Sequence, residues 1–370
     1  MNISVLYYPH REGHNSVFPL LAFQKAMNEK GIFVQFFQSK KHFLNSNPDL
    51  FLISGISLPK LIQGGRTAQL QFLSECYKKN FPVIYLSGSD SVGPFDKEIL
   101  ALVDSYLMRQ LLVDKDFYLQ PHRRFYFRDK YFDKYYFKNK EEFPLVQYTQ
   151  HEVSKLGIYW NLGLIDWKTQ TSSKLIRYFH ILIRNTRLKV FSKGKDLKER
   201  TIDLSFRGNL FPNSHDVSRF HRLQTYRKYR KSSVTRVVPK EGLLSHSDFI
   251  KEMSDTKICL SPFGWGEVCY RDFEAFQMRT LLFKPDMSHI ETFPNLYLDS
   301  TYVSYDWSAN SLLGLVDEVL NDITKYQKIA DEGHQLLNFY LSKKSGGEAF
   351  ATHFQGILKS AEINFNKRVK

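Results

Sequence analysis

The 370-residue chain contains few cysteines and no long apolar run. Its three cysteines, Cys76, Cys259 and Cys269, are scattered and form neither a CxxC motif nor a His/Cys metal spacing. This distribution argues against a structural zinc site and favours a reducing compartment. Because no stretch of eighteen or more apolar residues is present, we expect no segment that spans a bilayer.

The first nine residues lack the basic start and the long apolar core of a signal peptide, and they read as a first β-strand. We therefore expect a cytoplasmic protein, either free or peripheral on a membrane. The length suffices for two domains with substantial cores. Hydrophobic residues make up 42% and aromatic residues 15% of the chain, which are values of a globular protein.

Basic residues outnumber acidic ones, 52 against 38, so the formal net charge is +14. This balance favours anionic partners, namely nucleotide sugars, anionic lipid headgroups, acidic glycans or nucleic acid. Charge alone does not choose among them.

Short apolar runs alternate with amphipathic stretches in the first half of the chain. Such alternation predicts a mainly parallel sheet with helices on both faces. Ligands of such sheets collect at the carboxyl ends of the strands. Two polar corners, Arg11–Asn15 and Gly88–Asp90, follow predicted strands and are therefore expected at a cleft. In the first alternation a strand is expected over Asp49–Ser54. A second alternation begins at Ile202, so a second α/β unit is expected, with a basic helix over Val217–Tyr229 and a short strand over Leu296–Leu298.

The most informative segment runs from Leu260 to Ala275. A short apolar strand is followed by a turn that contains Gly264 and Gly266, and then by a predicted helix. On that helix Glu267, Arg271 and Glu274 would fall at i, i+4 and i+7 and share one face. A glycine turn before a helix leaves backbone N–H groups for a phosphate. An arginine can bind phosphate in a bidentate manner, and a carboxylate can accept hydrogen bonds from two sugar hydroxyls. The alternative is a set of solvated surface ion pairs.

These residues resemble the donor-binding stretch of GT-B glycosyltransferases. The pattern P-x-G-x-G…R-x-x-E-A is nearest to the exostosin-like and spore-coat-glycosyltransferase-like branches (glycosyl transferase family 1-like). The resemblance implies that Glu274 holds hydroxyls of the ribose or the donor sugar and that Arg271 lies near the diphosphate. One departure is that Gln277, Met278 and Arg279 stand where family members commonly have a small residue and glycine.

The resemblance also implies an α/β fold with two Rossmann-like domains that face each other across a cleft. Residues 1–170 would form the acceptor domain, 171–200 a basic linker and helix, and 201–345 the nucleotide-sugar donor domain. Residues 346–370 would form a helix that packs back on the first domain.

Candidate residues outside the motif complete this hypothesis. Arg207 follows a predicted strand and precedes a glycine. The resemblance to GT-B enzymes implies that a residue in this place clamps the donor diphosphate, and the alternative is a solvated arginine. An inverting transfer needs a general base from the first domain, and we select Asp90 and His14 because both lie at expected cleft corners. No metal and no cofactor are expected, with the nucleotide sugar as co-substrate. The short Asp114-Lys115-Asp116 sequence is a weak basis for a metal-dependent GT-A site.

Two basic segments leave other interpretations open. Residues 121–142 interleave basic and aromatic side chains, and Lys174–Lys189 forms a basic amphipathic pattern. Both suit packing on the protein itself or an anionic membrane surface, and the first also suits an acceptor or stacking on nucleic acid. We predict a metal-independent glycosyltransferase that acts on a glycan, lipid-linked or protein acceptor. Nucleic acid is a less favoured partner. The rivals are a basic nucleic-acid-binding protein and a catalytically silent GT-B-like scaffold.

Overall fold

The computed structural model describes residues 1–122, 126, 130, 145–167, 190–192, 194–208, 210, 217–230, 236–237 and 244–369. Most of the basic and aromatic segment 121–142 and the helix predicted over Lys174–Lys189 lie outside these residues.

The described strands form two parallel sheets and one small antiparallel sheet. The first sheet has the order β2-β1-β3-β4-β5-β7, the second has the order β13-β11-β10-β8-β9, and β12 pairs with β6. The strands are β1 Asn2–Leu6, β2 Phe33–Phe37, β3 Leu50–Ser54, β4 Val83–Leu86, β5 Ser105–Met108, β6 Gln110–Leu112, β7 Leu156–Ile158, β8 Ile202–Ser205, β9 Arg236–Val237, β10 Thr256–Leu260, β11 Leu281–Pro285, β12 Ile290–Thr292 and β13 Val303–Tyr305.

Several inner strands of the two sheets are mostly apolar and are buried on both faces. Every residue of β3, β4, β5 and β11 is buried. Continuous burial is typical of parallel strands covered by helices on both sides. The expected α/β class with two Rossmann-like parallel-sheet units is confirmed.

The described α-helices connect and cover these strands, with short 3-10 helices between some of them. They are α1 Arg11–Ala22, α2 Gln24–Glu29, α3 Lys40–Leu44, α4 Leu58–Leu61, α5 Gly65–Tyr77, α6 Lys97–Leu100, α7 Gln150–Ser154, α8 Val217–Tyr229, α9 His246–Ser254, α10 Tyr270–Gln277, α11 Leu312–Asn321, α12 Ile323–Leu341 and α13 Ser345–Val369.

The small sheet joins the two parallel-sheet units. Strand β6 continues from the end of β5 in the first unit, whereas β12 belongs to the second, and Thr292 of β12 lies opposite Gln110 of β6. Beside this sheet, the Asn161 side chain donates hydrogen bonds to the Thr292 hydroxyl (3.0 Å) and to the Pro294 carbonyl (2.7 Å). The two units are therefore connected by backbone pairing as well as by side chains.

The last helix, α13, packs on the first unit. The Phe350 ring lies 5.3 Å from the Trp160 ring and 5.2 Å from the Phe23 ring. The Asn364 amide donates to the Asp104 carbonyl at 3.0 Å. Among the described helices, none combines the length and the apolar character needed to cross a bilayer.

Candidate active site

The glycine loop, residues 261–269, links the end of β10 to the start of α10. The Gly264 N–H donates to the Gly266 carbonyl at 2.9 Å, which closes a tight turn. A β-carbon at Gly264 would lie 2.8 Å from Arg222 Nη2 and 3.2 Å from Cys269 Sγ. The Arg222 Nε–H in turn donates to the Phe263 carbonyl at 3.1 Å. A side chain at position 264 would therefore displace the Arg222 guanidinium that packs against the loop.

Gly266 brings this loop against the first unit. A β-carbon at Gly266 would lie only 1.4 Å from the carbonyl oxygen of Asp90 and 2.4 Å from its carbonyl carbon. The sequence patterns that selected Gly266 and Asp90 were unrelated, yet the two residues are in backbone contact. The glycine loop of the second unit and the Gly88–Asp90 corner of the first unit therefore meet.

Glu267 does not lie on the predicted helical stripe. The helix begins only at Tyr270, since the carboxylate of Asp272 accepts the Cys269 N–H at 3.0 Å and fixes the cap there. Glu267 instead points into the contact between the two units, where it is 1% exposed and accepts a hydrogen bond from the Gln110 amide at 2.8 Å. The prediction of three charged residues on one helical face is therefore wrong for Glu267.

Burial raises the pKa of the Glu267 carboxyl to about 7. Hydrogen bonds from its own backbone, Gln110 and Ser91 and the positive charge of Lys284 oppose this shift without cancelling it. Near neutral pH this carboxyl group is thus poised between its neutral and its charged form.

Arg207 and Arg271 meet beside the carboxyl end of β8. The Arg271 Nη1–H donates to the Arg207 carbonyl at 2.7 Å, and its guanidinium lies 5.3 Å from the centre of the Phe206 ring. The Arg207 Nε–H is shared by both carboxylate oxygens of Glu252 at 3.0 and 3.1 Å. Glu252 also accepts a hydrogen bond from the Ser205 hydroxyl at 2.7 Å. Glu252 of α9 therefore fixes the arginine that the sequence singled out.

Glu274 lies one helical turn after Arg271, with its side chain 12% exposed. Burial raises the pKa of this carboxyl to about 7, against the lowering effect of the Arg271 charge. The His246 Nδ1 lies 3.7 Å from one carboxylate oxygen of Glu274. The structure thus brings Arg207, Arg271 and Glu274 together at one edge of the second sheet, with Glu252 and His246 as neighbours.

Asp90 is the accessible one of the two candidate bases. Its carboxylate is 55% exposed and accepts a hydrogen bond from Arg109 Nη1 at 3.0 Å. Tyr270, the first residue of α10, lies close to both polar corners. Burial raises the pKa of its hydroxyl, the charges of Asp90 and Glu12 raise it further, and those of Arg109 and Arg11 lower it. Both polar corners of the first unit therefore lie near the start of α10.

His14 is buried in the first turns of α1. Its side chain is 1% exposed, and its Nε2 lies 3.2 Å from Oδ2 of Asp166. The ring also contacts Phe18 edge-on at 5.5 Å. His14 thus forms a buried pair with Asp166, in contrast to the exposed carboxylate of Asp90.

Several residues of the site escaped the sequence analysis. Beneath the glycine loop, the ammonium group of Lys284 lies 2.9 Å from the Asp272 carboxylate, and both side chains are fully buried. The sequence does place a lysine inside the apolar strand β11, and a buried charge requires a partner of opposite charge, so this lysine could have indicated the ion pair. Arg109 and Gln110 follow β5 directly, and polar residues at the carboxyl end of a strand gave a similar signal.

The acid pair Asp114 and Asp116 has a local structural role. The Asp114 carboxylate accepts the Asp116 N–H at 3.1 Å and caps a short 3-10 helix. Among the described residues, no group of three or more His, Cys, Asp and Glu side chains is arranged to hold a metal ion.

Comparisons with known proteins give likenesses in structure only. No protein-family model and no curated protein matches the chain. The chain is similar to an alpha-glucosyltransferase in complex with UDP, with 12% identity over 97% of this chain and 100% of that one and a TM-score of 0.48. The same type of enzyme in complex with UDP and a 13-mer DNA gives 12% identity, coverage of 98% and 99%, and a TM-score of 0.48. The S. aureus MnaA–UDP structure gives 8% identity, 97% coverage of each chain and a TM-score of 0.41. Such identities leave the functional side chains unspecified, so function depends on the geometry of this chain.

Proposed function

We propose that this chain is a GT-B-type glycosyltransferase that moves a sugar from a nucleotide-sugar donor to a glycan, lipid-linked or protein acceptor. The observation that carries the proposal is the meeting of two sets of residues. Arg271 and Glu274 stand on α10 behind the glycine loop, and that loop touches the backbone of the exposed Asp90 through Gly266. The resemblance to the exostosin-like and spore-coat branches stays a prediction.

The donor would bind at the carboxyl edge of the second sheet. Arg271 and Arg207 supply positive charge for a diphosphate, and the first N–H groups of α10 add the positive end of a helix dipole. Glu274 can accept hydrogen bonds from two neighbouring sugar hydroxyls when it is ionised. Since two guanidinium groups can take up the charge of the leaving nucleoside diphosphate, we also propose that transfer needs no metal or other cofactor.

Asp90 is our choice for the general base. In an inverting transfer its carboxylate accepts the proton of the acceptor hydroxyl while that oxygen attacks the anomeric carbon, and the bond from that carbon to the diphosphate breaks. The Arg109 guanidinium on Oδ1 fixes the orientation of the carboxylate. His14 stays the second candidate, with Asp166 as its hydrogen-bond partner.

The proposal is tested by donor binding and donor consumption. We expect one class among UDP, GDP, ADP and CMP sugars to raise the unfolding temperature and to be hydrolysed or transferred. The Glu274→Ala variant should lose both responses and keep its fold. Glu348→Ala, an exposed glutamate of α13, is the matched control and should behave as wild type. Full transfer by Glu274→Ala would remove Glu274 from the site, and the absence of any nucleotide response would refute the enzyme.

The net charge of +14 favours one rival, a nucleic-acid-binding protein. Such a protein would bind arbitrary oligonucleotides with a steep dependence on salt and would ignore nucleotide sugars. Salt-dependent binding together with a nucleotide-sugar response would instead point to a nucleic acid as the acceptor.

A further inference from the structure

The side chain of Gln110 links the two units at the place where the candidate base meets the glycine loop. Its Nε2 group donates to the Asp90 carbonyl at 2.7 Å and to the Glu267 carboxylate at 2.8 Å. Its Oε1 accepts the backbone N–H of Val268 at 3.2 Å. One buried amide, 1% exposed, thus holds the residue that carries the base and two consecutive residues of the loop.

The backbone around Gln110 is fixed independently. Gln110 lies opposite Thr292 in the antiparallel pairing of β6 and β12. The Thr292 hydroxyl donates to the carbonyl of Arg109 at 2.8 Å. The amide therefore projects from a segment that already belongs to both units, so its position is determined before it makes its three contacts.

Only an amide can satisfy these three partners. Two of them are acceptors and one is a donor, which matches the two N–H groups and the carbonyl of a glutamine. A glutamate at this position would lose both donors and stand beside the Glu267 carboxyl, and a methionine of similar length would make none of the hydrogen bonds. Leaving buried polar groups unpaired is costly, so the loop would shift to reach water.

We propose that Gln110 is a positioning residue for the transfer reaction, which sets the placement of Asp90 relative to the donor-binding residues of α10. This inference rests on the proposed function. Arg271 contacts Arg207 and Glu274 lies beside His246, and neither has a described hydrogen bond to Gln110, so we expect both to keep their positions when the amide is removed. Loss of Gln110 then separates donor binding from transfer.

The test uses Gln110→Met and Gln110→Glu in the full chain. Gln147→Met is the matched control, because the Gln147 amide is exposed and donates only to the Leu119 carbonyl at 2.8 Å among its described contacts. We expect the kcat for transfer to fall by about tenfold to a hundredfold in both Gln110 variants, because a small misplacement of the reacting groups lowers the rate by factors of this size. The donor Kd should stay within about twofold of wild type, and hydrolysis of the donor should rise relative to transfer. The proposal would be overturned if the Gln110 variants kept the kcat of the wild type, or if they lost donor affinity and kcat in parallel.

Hydrogen exchange separates this inference from the proposed function. In Gln110→Met, the amides of residues 263–268 and 88–92 should lose protection together, whereas Gln147→Met should leave both segments unchanged. If the wild-type protein transfers no sugar but Gln110→Met still shows the joint loss of protection, the proposed function is refuted and the structural coupling stands. Unchanged exchange in both segments would refute the coupling itself, whatever the activity.

Discussion

Two glutamates of the candidate site, Glu267 and Glu274, have carboxyl groups whose pKa is raised to about 7 by burial. The two differ in what surrounds them. Glu274 lies near the positive charge of Arg271, whereas Glu267 accepts a hydrogen bond from a neutral amide in the contact between the units. Because no cation among the described residues contacts the Glu267 carboxylate directly, its ionisation in the folded protein should lower the stability.

At the residue scale, we predict that Glu267 lowers the free energy of unfolding by an amount that depends on pH. Its pKa in the folded protein, about 7, lies above the ordinary value of 4.5, so the folded state holds a proton that the unfolded chain releases. The cost is absent below about pH 4.5, grows as the pH rises to about 7 and is constant above that value. Its full size is about 3 kcal/mol. Glu267→Gln, which is neutral at every pH, should raise the free energy of unfolding at pH 8 and leave it nearly unchanged at pH 4.5.

Urea unfolding of both proteins from pH 4.5 to 8 measures this difference. Glu29→Gln serves as control, since that side chain is 66% exposed, and its curve should parallel the wild type. A Glu267→Gln curve that also parallels the wild type would show that burial does not penalise this carboxylate.

From the sequence, residues of the candidate site could be grouped correctly where they lie close together in the chain. The spacing of Arg271 and Glu274 on one helix sufficed to group them, and the glycine turn before them was visible. Glu252 was not predictable as the partner of Arg207, nor Gln110 as the partner of Glu267, because α9 and β6 reach the site through the sheet topology. Glu267 was misplaced because a helical period says nothing about where the cap lies.

At the scale of elements, we predict that Gly266→Ala abolishes the contact between the glycine loop and the first unit. The new methyl group would collide with the backbone of Asp90, which cannot yield as a flexible side chain would. Transfer should fall by about tenfold or more, since the base and the donor move apart. Gly314→Ala is the matched control, because a β-carbon there meets nothing within 4 Å on the exposed face of α11. That control should gain about 0.5–1 kcal/mol of stability at unchanged activity. Equal activity in both variants would contradict the close contact.

Arg279, just after the end of α10, has an unusual backbone conformation. Arg279 has a φ of 56°, a left-handed conformation that favours glycine. Its buried guanidinium donates to the Asp196 carboxylate at 2.6 Å and forms a second ion pair with Asp331. The ion pairs offset the backbone strain, so an arginine is accepted in a conformation that favours glycine.

We therefore predict different costs for two substitutions at this position. Arg279→Ala and Arg279→Gly both lose the ion pairs, but only the alanine keeps the unfavourable φ. The glycine variant should be more stable than the alanine variant by about 1 kcal/mol. Urea unfolding of the two variants measures the difference, and equal stabilities would show that the left-handed backbone carries no strain.

The elements were predictable where an apolar run or a helical period was long. Helix α8 was predicted over Val217–Tyr229, as the structure has it, and β3 differs by one residue. The predicted strand Leu296–Leu298 is wrong, and β13 at Val303–Tyr305 is the edge strand instead. Strands of three residues, such as β6 and β12, are too short for a periodic signal. The pairing that joins the two units was therefore not predictable.

For the whole molecule, the hydrophobic core is shared between the units. One buried cluster includes Val5 and Phe51 of the first sheet, Phe276 and Leu282 of the second unit, and Phe350 of α13. The alternate residues of the second sheet, such as Leu281 and Phe283, belong to a separate cluster. Since one face of the second sheet contributes to the common core, neither unit buries its apolar surface alone.

This sharing predicts that the chain unfolds in one step and that α13 contributes to the stability of both units. Phe350 is fully buried between Phe23, Trp160 and Phe354. Phe350→Ala should lower the free energy of unfolding by about 3–5 kcal/mol, because it removes a large ring and leaves a cavity. Phe339→Ala is the control, since that ring is 46% exposed, and it should cost less than about 1 kcal/mol. Tryptophan fluorescence and hydrogen exchange of the β10–β11 region during urea unfolding should give coincident transitions in the wild type and in Phe350→Ala. Two separate transitions, with only the first unit weakened by Phe350→Ala, would show that the units fold independently despite the shared core.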